Sequence, residues 1–349
     1  MSSIFQKAES HFNQRLPFVL YCKPNSASLT AFFQHDSQLF VTKDLSEKGF
    51  VFADFIGNRQ IVFPKSACEI ASENLNLSNA DFKKPILKTS EEGKIAFQKL
   101  VKKGIESIEK GAFQKVVLSR KETIDASGFQ FLQTFEKMLS AYPTAFRYCW
   151  FHPEIGMWMG ASPEQLLKVE NSSFKTVALA GTQKKQEGIE AIWQEKEKQE
   201  QQYVTDFIIA QLQTEVFSIE KTQPYSFQAG NLLHLKTDIS GVFKTDFNLQ
   251  KIIQNLHPTP AVCGLPKEIS QQFIIENEGY DRKFYAGFLG EINLNQSGDS
   301  DLYVNLRCME IGDKHIHIYV GCGITKDSCP EKEYIETANK AMTMKQILN

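Results

Sequence analysis

Three runs near the C-terminus, Phe284 to Leu294, Leu302 to Ile311 and His315 to Ile324, alternate apolar and polar residues and are separated only by the turn-forming NQSGD and GDK. Successive side chains of a strand point to opposite faces, so this pattern predicts an antiparallel meander with short connections. A doubly wound parallel sheet fits poorly, because its strands need long crossovers. Earlier runs extend the theme. Phe18 to Cys22, Leu39 to Thr42 and Ile61 to Phe63 read as strands of a sheet with one wet face. Lys115 to Arg120, Tyr148 to Phe151, Leu166 to Val169 and Phe174 to Leu179 follow, the last two joined by a turn at Asn171-Ser172-Ser173.

Helical spacing appears in three places. Ala96, Leu100, Ile105 and Ile108 predict a helix over Gly93 to Lys110, and Val204, Phe207, Ile208 and Leu212 predict another within Glu190 to Phe217. A third runs from about Pro330 to Leu348, with Ser328 and Pro330 as start signals. Strands joined by hairpins and interleaved with a few long helices predict an α+β layered fold. A polar stretch from about Asn74 to Glu92 divides a strand-rich part, 1–92, from the remainder, 93–349, within a single large domain.

A formal net charge of -2 offers no broad field for nucleic acid or an anionic membrane, so any anion must be met by a few placed cations. No run is long and apolar enough for a membrane span, and the first eighteen residues lack the apolar core of a signal peptide, so a cytoplasmic location is expected. The seven cysteines are scattered without zinc-ligand spacing and read as reduced, packed thiols.

On the final helix Glu333, Glu336 and Lys340 share one face, either as a solvated stripe or as part of a site. Glu200 lies on the stripe of Val204, Phe207, Ile208 and Gln211, where a carboxylate needs a partner or a cation. Carboxylates from two helices would suit a hard divalent ion, and oxygen-only ligation favours magnesium over zinc. Arg307, read as mid-strand in DLYVNLRCME, either faces solvent or clamps a carboxylate in bidentate fashion. Gly321 and Gly323 would let backbone N–H groups approach a small anion. Lys115 and Glu164 stand at strand ends, exposed unless they face one pocket as base and acid. His234 and His257 read as hydrogen-bonded structural histidines, and no nucleotide-binding motif is present.

KVVLSR, GASPEQLL, ALAGT, the KEKQEQ helix, HLKTDISG, LHPTPAVCG, YDRKFYAGFLG, NLRCME, GCGIT and EKEYIETANK together resemble, in order, the motifs of the chorismate-binding enzymes. The resemblance runs from about Lys115 to the C-terminus and implies two packed antiparallel sheets with helices outside, around a magnesium site. It implies Glu200 and Glu336 as Mg2+ ligands, with Glu333 acting through metal-bound water. Arg307 becomes the clamp for the substrate carboxylate, helped by Gly321, Gly323 and Lys340, with Tyr319 in the pocket wall and Gly181, Thr182 and Ala261 beside the substrate. Lys115 matches the base that activates water for attack at C2 of chorismate, and Glu164 the acid that protonates the departing C4 hydroxyl.

Within the family, a nucleophilic Lys before the Gly-Thr pair marks aminodeoxychorismate synthases, and Gln in place of Lys115 marks anthranilate synthases. Ala180 and Lys115 therefore imply a water-using isomerase that forms isochorismate and feeds menaquinone or siderophore synthesis. Ala261 favours stopping at isochorismate over salicylate. A salicylate synthase and a non-catalytic chorismate-binding protein are the alternatives. No glutamine amidotransferase subunit is expected, and a monomer is. One departure is Gln201, where the family usually has His.

Overall fold

The computed structural model describes residues 3–75, 90–185, 191–229 and 232–348. The N-terminal part contributes α1 (Ser3–Asn13), β1 (Phe18–Cys22), β2 (Ser28–Gln34), β3 (Gly49–Ala53), β4 (Gln60–Pro64) and β5 (Cys68–Asn74). Next come α2 (Glu91–Glu109), β6 (Lys115–Asp125), α3 (Phe131–Ala141), β7 (Phe146–His152), β8 (Gly156–Ser162), β9 (Gln165–Glu170), β10 (Ser173–Lys184) and α4 (Glu195–Leu212). The chain continues with β11 (Val216–Lys221), β12 (Tyr225–Ala229), β13 (Leu232–Phe243), α5 (Leu249–Leu256), β14 (Gly264–Leu265) and α6 (Lys267–Asn277). It ends with β15 (Phe288–Ile292), β16 (Ser300–Val304), β17 (Cys308–Ile311), β18 (His315–Ile324) and α7 (Pro330–Ile347).

The strands form two antiparallel sheets. The first runs β14-β6-β18-β17-β8-β7-β1-β2-β5, and the second β11-β13-β10-β9-β16-β15-β3-β4, with β12 beside β13. The expected α+β class with two packed sheets is what the chain adopts. The N-terminal strands serve both sheets, because β1 pairs with β7 and β3 with β15.

Three local expectations are corrected. The strand-rich N-terminal part has no simple wet face, because β1 and β3 are buried along their whole length. Ile4 and Phe5 of α1 and Phe135, Met138 and Leu139 of α3 pack in the same cluster as Phe18, Leu20 and Cys22, while Val19 and Tyr21 join the core that includes Phe50 and Phe52 of β3. Leu39 to Thr42 is no strand but a single bridge from Val41 to Ile61, with Leu39 and Phe40 packed as cover on the core. The long helix ends at Leu212, and Val216 to Lys221 is a strand paired with β13. Its expected start at Glu190, like most of the polar stretch Asn74 to Glu92, lies outside the described residues. The hairpin at Asn171-Ser172 is a two-residue turn with both φ values positive (50° and 65°), the geometry that matches strand twist, and Ser173 is already paired with Glu170.

The largest correction concerns the C-terminal meander. The run Leu302 to Ile311 divides at Asn305-Leu306-Arg307: β16 pairs with β15 in the second sheet, while β17 pairs with β18 in the first. Its neighbour divides alongside it. β8 lies beside β17 in the first sheet and β9 beside β16 in the second, with Pro163 and Glu164 between. A two-stranded ribbon thus passes from one sheet to the other. It is stitched by Val304 N–H to the Glu164 carbonyl and Ala161 N–H to the Arg307 carbonyl, both 3.0 Å. Buried Asn305 anchors the crossing: its amide donates to the Phe284 carbonyl at 2.9 Å and accepts from the Tyr148 hydroxyl at 2.6 Å. Alternation alone could not reveal this, since a strand that changes sheets keeps its period of two.

Candidate active site

The ribbon crossing opens onto a cavity. Glu164 and Arg307 come from the crossing itself, Gly181 and Thr182 from β10, Glu200 from α4, Ala261 from the loop before β14, Tyr319, Gly321 and Gly323 from β18, and Glu336 and Lys340 from α7. Residues distant in sequence therefore converge. Two proposed site residues do not line it: Lys115 is fully buried behind Glu200, and Glu333 faces a neighbouring depression shared with Lys196 and Glu336.

Arg307 is not in mid-strand as expected. It sits in the interruption between β16 and β17 with φ +47°, a conformation uncommon for any side chain but glycine. Freed from the ladder, its guanidinium lies 3.4 Å from His234 Nε2. The His234 Nδ1 lies 2.9 Å from the Gly181 carbonyl, which can only accept, so Nδ1 carries the proton and Nε2 offers its lone pair to Arg307. Burial, then the Arg307 and Lys340 charges, push His234 down to about 3, so it stays neutral and leaves the cavity's positive charge to Arg307 and Lys340. Burial lowers Arg307 itself, opposed by Tyr285, Glu336, Tyr142 and Glu164. Lys340 is held by Glu336 at 2.7 Å and by the Gly321 carbonyl at 3.0 Å.

Glu164 is 3% exposed, and burial pushes its carboxyl up to about 8, against the pull of Lys115, Lys340 and Arg307. It therefore keeps its proton at neutral pH and can give it up, which is the property a general acid needs. Glu200 is the opposite case. Burial raises it, but Lys115, with Nζ 3.0 Å away, and then Lys196 bring it net below the usual carboxylate range. Glu164 and Glu200 thus stand in one cavity as a protonated and an ionised carboxyl, set apart by their neighbours.

Gly323 serves Glu200 rather than offering only its backbone: a Cβ there would stand 2.0 Å from Glu200 Oε1 and 3.1 Å from Lys115 Cε. Tyr319 presents its ring to the cavity while its hydroxyl donates to Glu310 at 2.8 Å. Gln201, in place of the usual His, is buried and donates to Thr205 at 2.9 Å and Thr237 at 2.7 Å, which satisfies its burial without a charge.

Among the described residues, no three Asp, Glu, His or Cys side chains converge as a preformed cation site. Each expected ligand has an ammonium partner instead: Glu200 has Lys115, Glu333 has Lys196 at 2.5 Å, and Glu336 has Lys340. The donor set is all oxygen, carried by two helices, and it already concentrates positive charge. In chemistry it fits a hard cation, with lysines as stand-ins. The bland reading of the α7 stripe as solvated fails, since Glu333 is 2% exposed.

Sequence reading missed Lys196 and Tyr285. Lys196 stands one turn before Glu200 on α4, a spacing that could have flagged it. Tyr285 lies inside YDRKFYAG and stacks on Tyr319 with centroids 5.6 Å apart, but nothing in its spacing marked it as a cavity wall.

Comparison with known proteins bears on the fold and the family. The isochorismate synthase MenF of Escherichia coli K12 is 32% identical over 200 residues, which span 55% of this chain and 45% of that protein, so the match covers about half of the relative's length. Two solved structures share the fold. The menaquinone-specific MenF of Escherichia coli superposes with a TM-score of 0.80 at 20% identity, over 96% of this chain and 89% of that one. A Bacillus anthracis structure assigned as a 2,3-dihydroxybenzoate-specific isochorismate synthase gives 0.81 at 24% identity, over 95% and 96%. The family pattern described as chorismate binding enzyme matches residues 56–349, and on that match the protein belongs to the chorismate-binding enzyme family.

Proposed function

We propose that the protein is an isochorismate synthase, converting chorismate to isochorismate with Mg2+. The observation that carries the reading is Glu164, a buried carboxyl in the cavity that Arg307 and Lys340 also line, which burial pushes up to about 8. Arg307 and Lys340 bind substrate carboxylate. Water adds its oxygen at C2 and gives a proton to Lys115, the ring double bonds shift, and the C4 hydroxyl leaves as water with the Glu164 proton. Atoms and charge balance as an isomerisation. Lys115, here the ammonium partner of Glu200 and behind the cavity wall, must first release a proton to solvent and turn from Glu200 to serve as base, and the proton it then gains returns through water to Glu164 to close the cycle. Glu200 and Glu336, with Glu333, would hold Mg2+, which when bound would neutralise the anionic substrate.

Ala180 and Ala261 both line the cavity, so the wall at the first carries no amine for a covalent adduct and at the second no hydroxyl to redirect the product. The product would serve menaquinone or siderophore synthesis, as the names of the relatives indicate for those proteins. None of the described helices is long and apolar enough to cross a membrane.

Incubation with chorismate and Mg2+ and separation of products by HPLC tests the reading. Isochorismate is expected to accumulate, and EDTA to abolish turnover. Salicylate as the main early product would identify a salicylate synthase, and tight chorismate binding without turnover a non-catalytic protein. Gly323→Ala is expected to lower kcat by about 100-fold, the scale of a small misplacement at a reacting centre, because the new methyl displaces the Glu200 carboxylate. Circular dichroism unchanged from wild type would place that loss in the site.

A further inference from the structure

Three lysines neutralise the carboxylates beside the cavity, and they differ in their freedom to leave. Lys115 is fully buried, and Lys340 is fixed to both Glu336 and the Gly321 carbonyl. Lys196, in the first turn of α4, keeps a side chain 22% exposed and borders an open depression with Asp327, Lys332 and Asn339. Its Nζ stands 2.5 Å from Glu333 Oε1, and Glu200 and Glu336 are its other carboxylate neighbours. It is thus the one of these three ammonium groups that meets the field of all three expected ligands and also has a path to solvent.

Three neighbouring carboxylates with no cation beside them would repel one another, and the buried Glu200 and Glu333 would each carry a desolvation penalty. A dication bound among the same oxygens would repel an ammonium held at hydrogen-bond distance from one of them. Both cannot occupy the cluster at full strength. We propose that Lys196 is a built-in counter-cation that holds Glu333 in the metal-free protein and competes with the divalent ion, so that metal entry drives the Lys196 side chain out to solvent. This rests on the Mg2+ reading above and assigns Lys196 a positioning role, not a catalytic one.

The test uses metal alone, without chorismate. Mn2+ titration followed by the EPR signal of the free ion, with Mg2+ calorimetry alongside, is expected to show about tenfold tighter binding by Lys196→Met than by wild type, and near-wild-type affinity for Lys196→Arg, which keeps the charge. Equal or weaker binding by Lys196→Met while wild type binds would overturn the proposal and leave the metal reading standing. Absence of binding by wild type at millimolar ion would remove the metal reading and this proposal with it. Should Lys196→Met fail to fold, the wild-type protein still decides. Acetylation of Lys196 by an amine-reactive reagent, read by mass spectrometry, is expected to rise several-fold on adding Mg2+, and an unchanged rate would sink the idea.

Discussion

Glu164→Gln is expected to lower kcat by about 10³-fold while KM for chorismate changes little, the scale at which a positioned proton donor contributes. The amide keeps the shape of the side chain and, in a cavity where Glu164 is already neutral, disturbs the local charge least. What is lost is the proton proposed for the C4 hydroxyl. In the wild type, burial holds this carboxyl up to about 8, so turnover is expected to fall as pH rises through that value. The same shift has a stability consequence of definite sign. The folded carboxyl is raised above its ordinary 4.5, so its contribution to stability is fully present below 4.5 and is lost as pH climbs toward about 8. Glu164→Gln should flatten that decline between the two values in thermal melts. Full turnover by the variant at pH 7 would remove Glu164 from the acid role.

Lys115→Met is expected to do more damage, of two separable kinds. Chemically it removes the proposed base and should leave turnover near background. Structurally it leaves Glu200 without the partner at 3.0 Å in a nearly closed environment, and breaking one side of a buried pair costs about 3–5 kcal/mol. Lys196 remains a weaker source of compensation, so the lower end of that range is expected. Pairing it with Glu200→Gln should restore most of the stability and none of the activity, because the orphaned charge is gone while the base is still missing. Urea denaturation of the two single variants and the double variant measures the first effect, and product formation the second. A Lys115→Met protein as stable as wild type would mean that the ion pair contributes nothing net.

Much of the fold was legible because it follows from short-range pattern. The antiparallel hairpins and the middle of α4 show in their periodicity, and α7 in the start signals Ser328 and Pro330. What was not legible depends on which partner a strand finds. Leu39 to Thr42 has strand composition but supplies one bridge, because its apolar side chains cap the core instead. The break at Arg307 is invisible in DLYVNLRCME, since a positive φ at arginine is imposed by the crossing and has no residue signal of its own. The site residues divide in the same way. Glu200 announced itself as a carboxylate on an apolar stripe, while the identity of its neutralising partner, Lys115, came only with the pairing of helix against sheet.

The ribbon that passes between the sheets has a further effect. Glu164 and Arg307 sit on its two strands at the point of passage, and the backbone bonds from Val304 and Ala161 tie those strands together there. If the sheets slide or breathe against each other, both residues ride the same bridge and their spacing is conserved. Under the roles proposed for them, the distance from proton source to carboxylate holder would work as a fixed gauge, so that breathing of the cavity could admit or release a ring without detuning the chemistry.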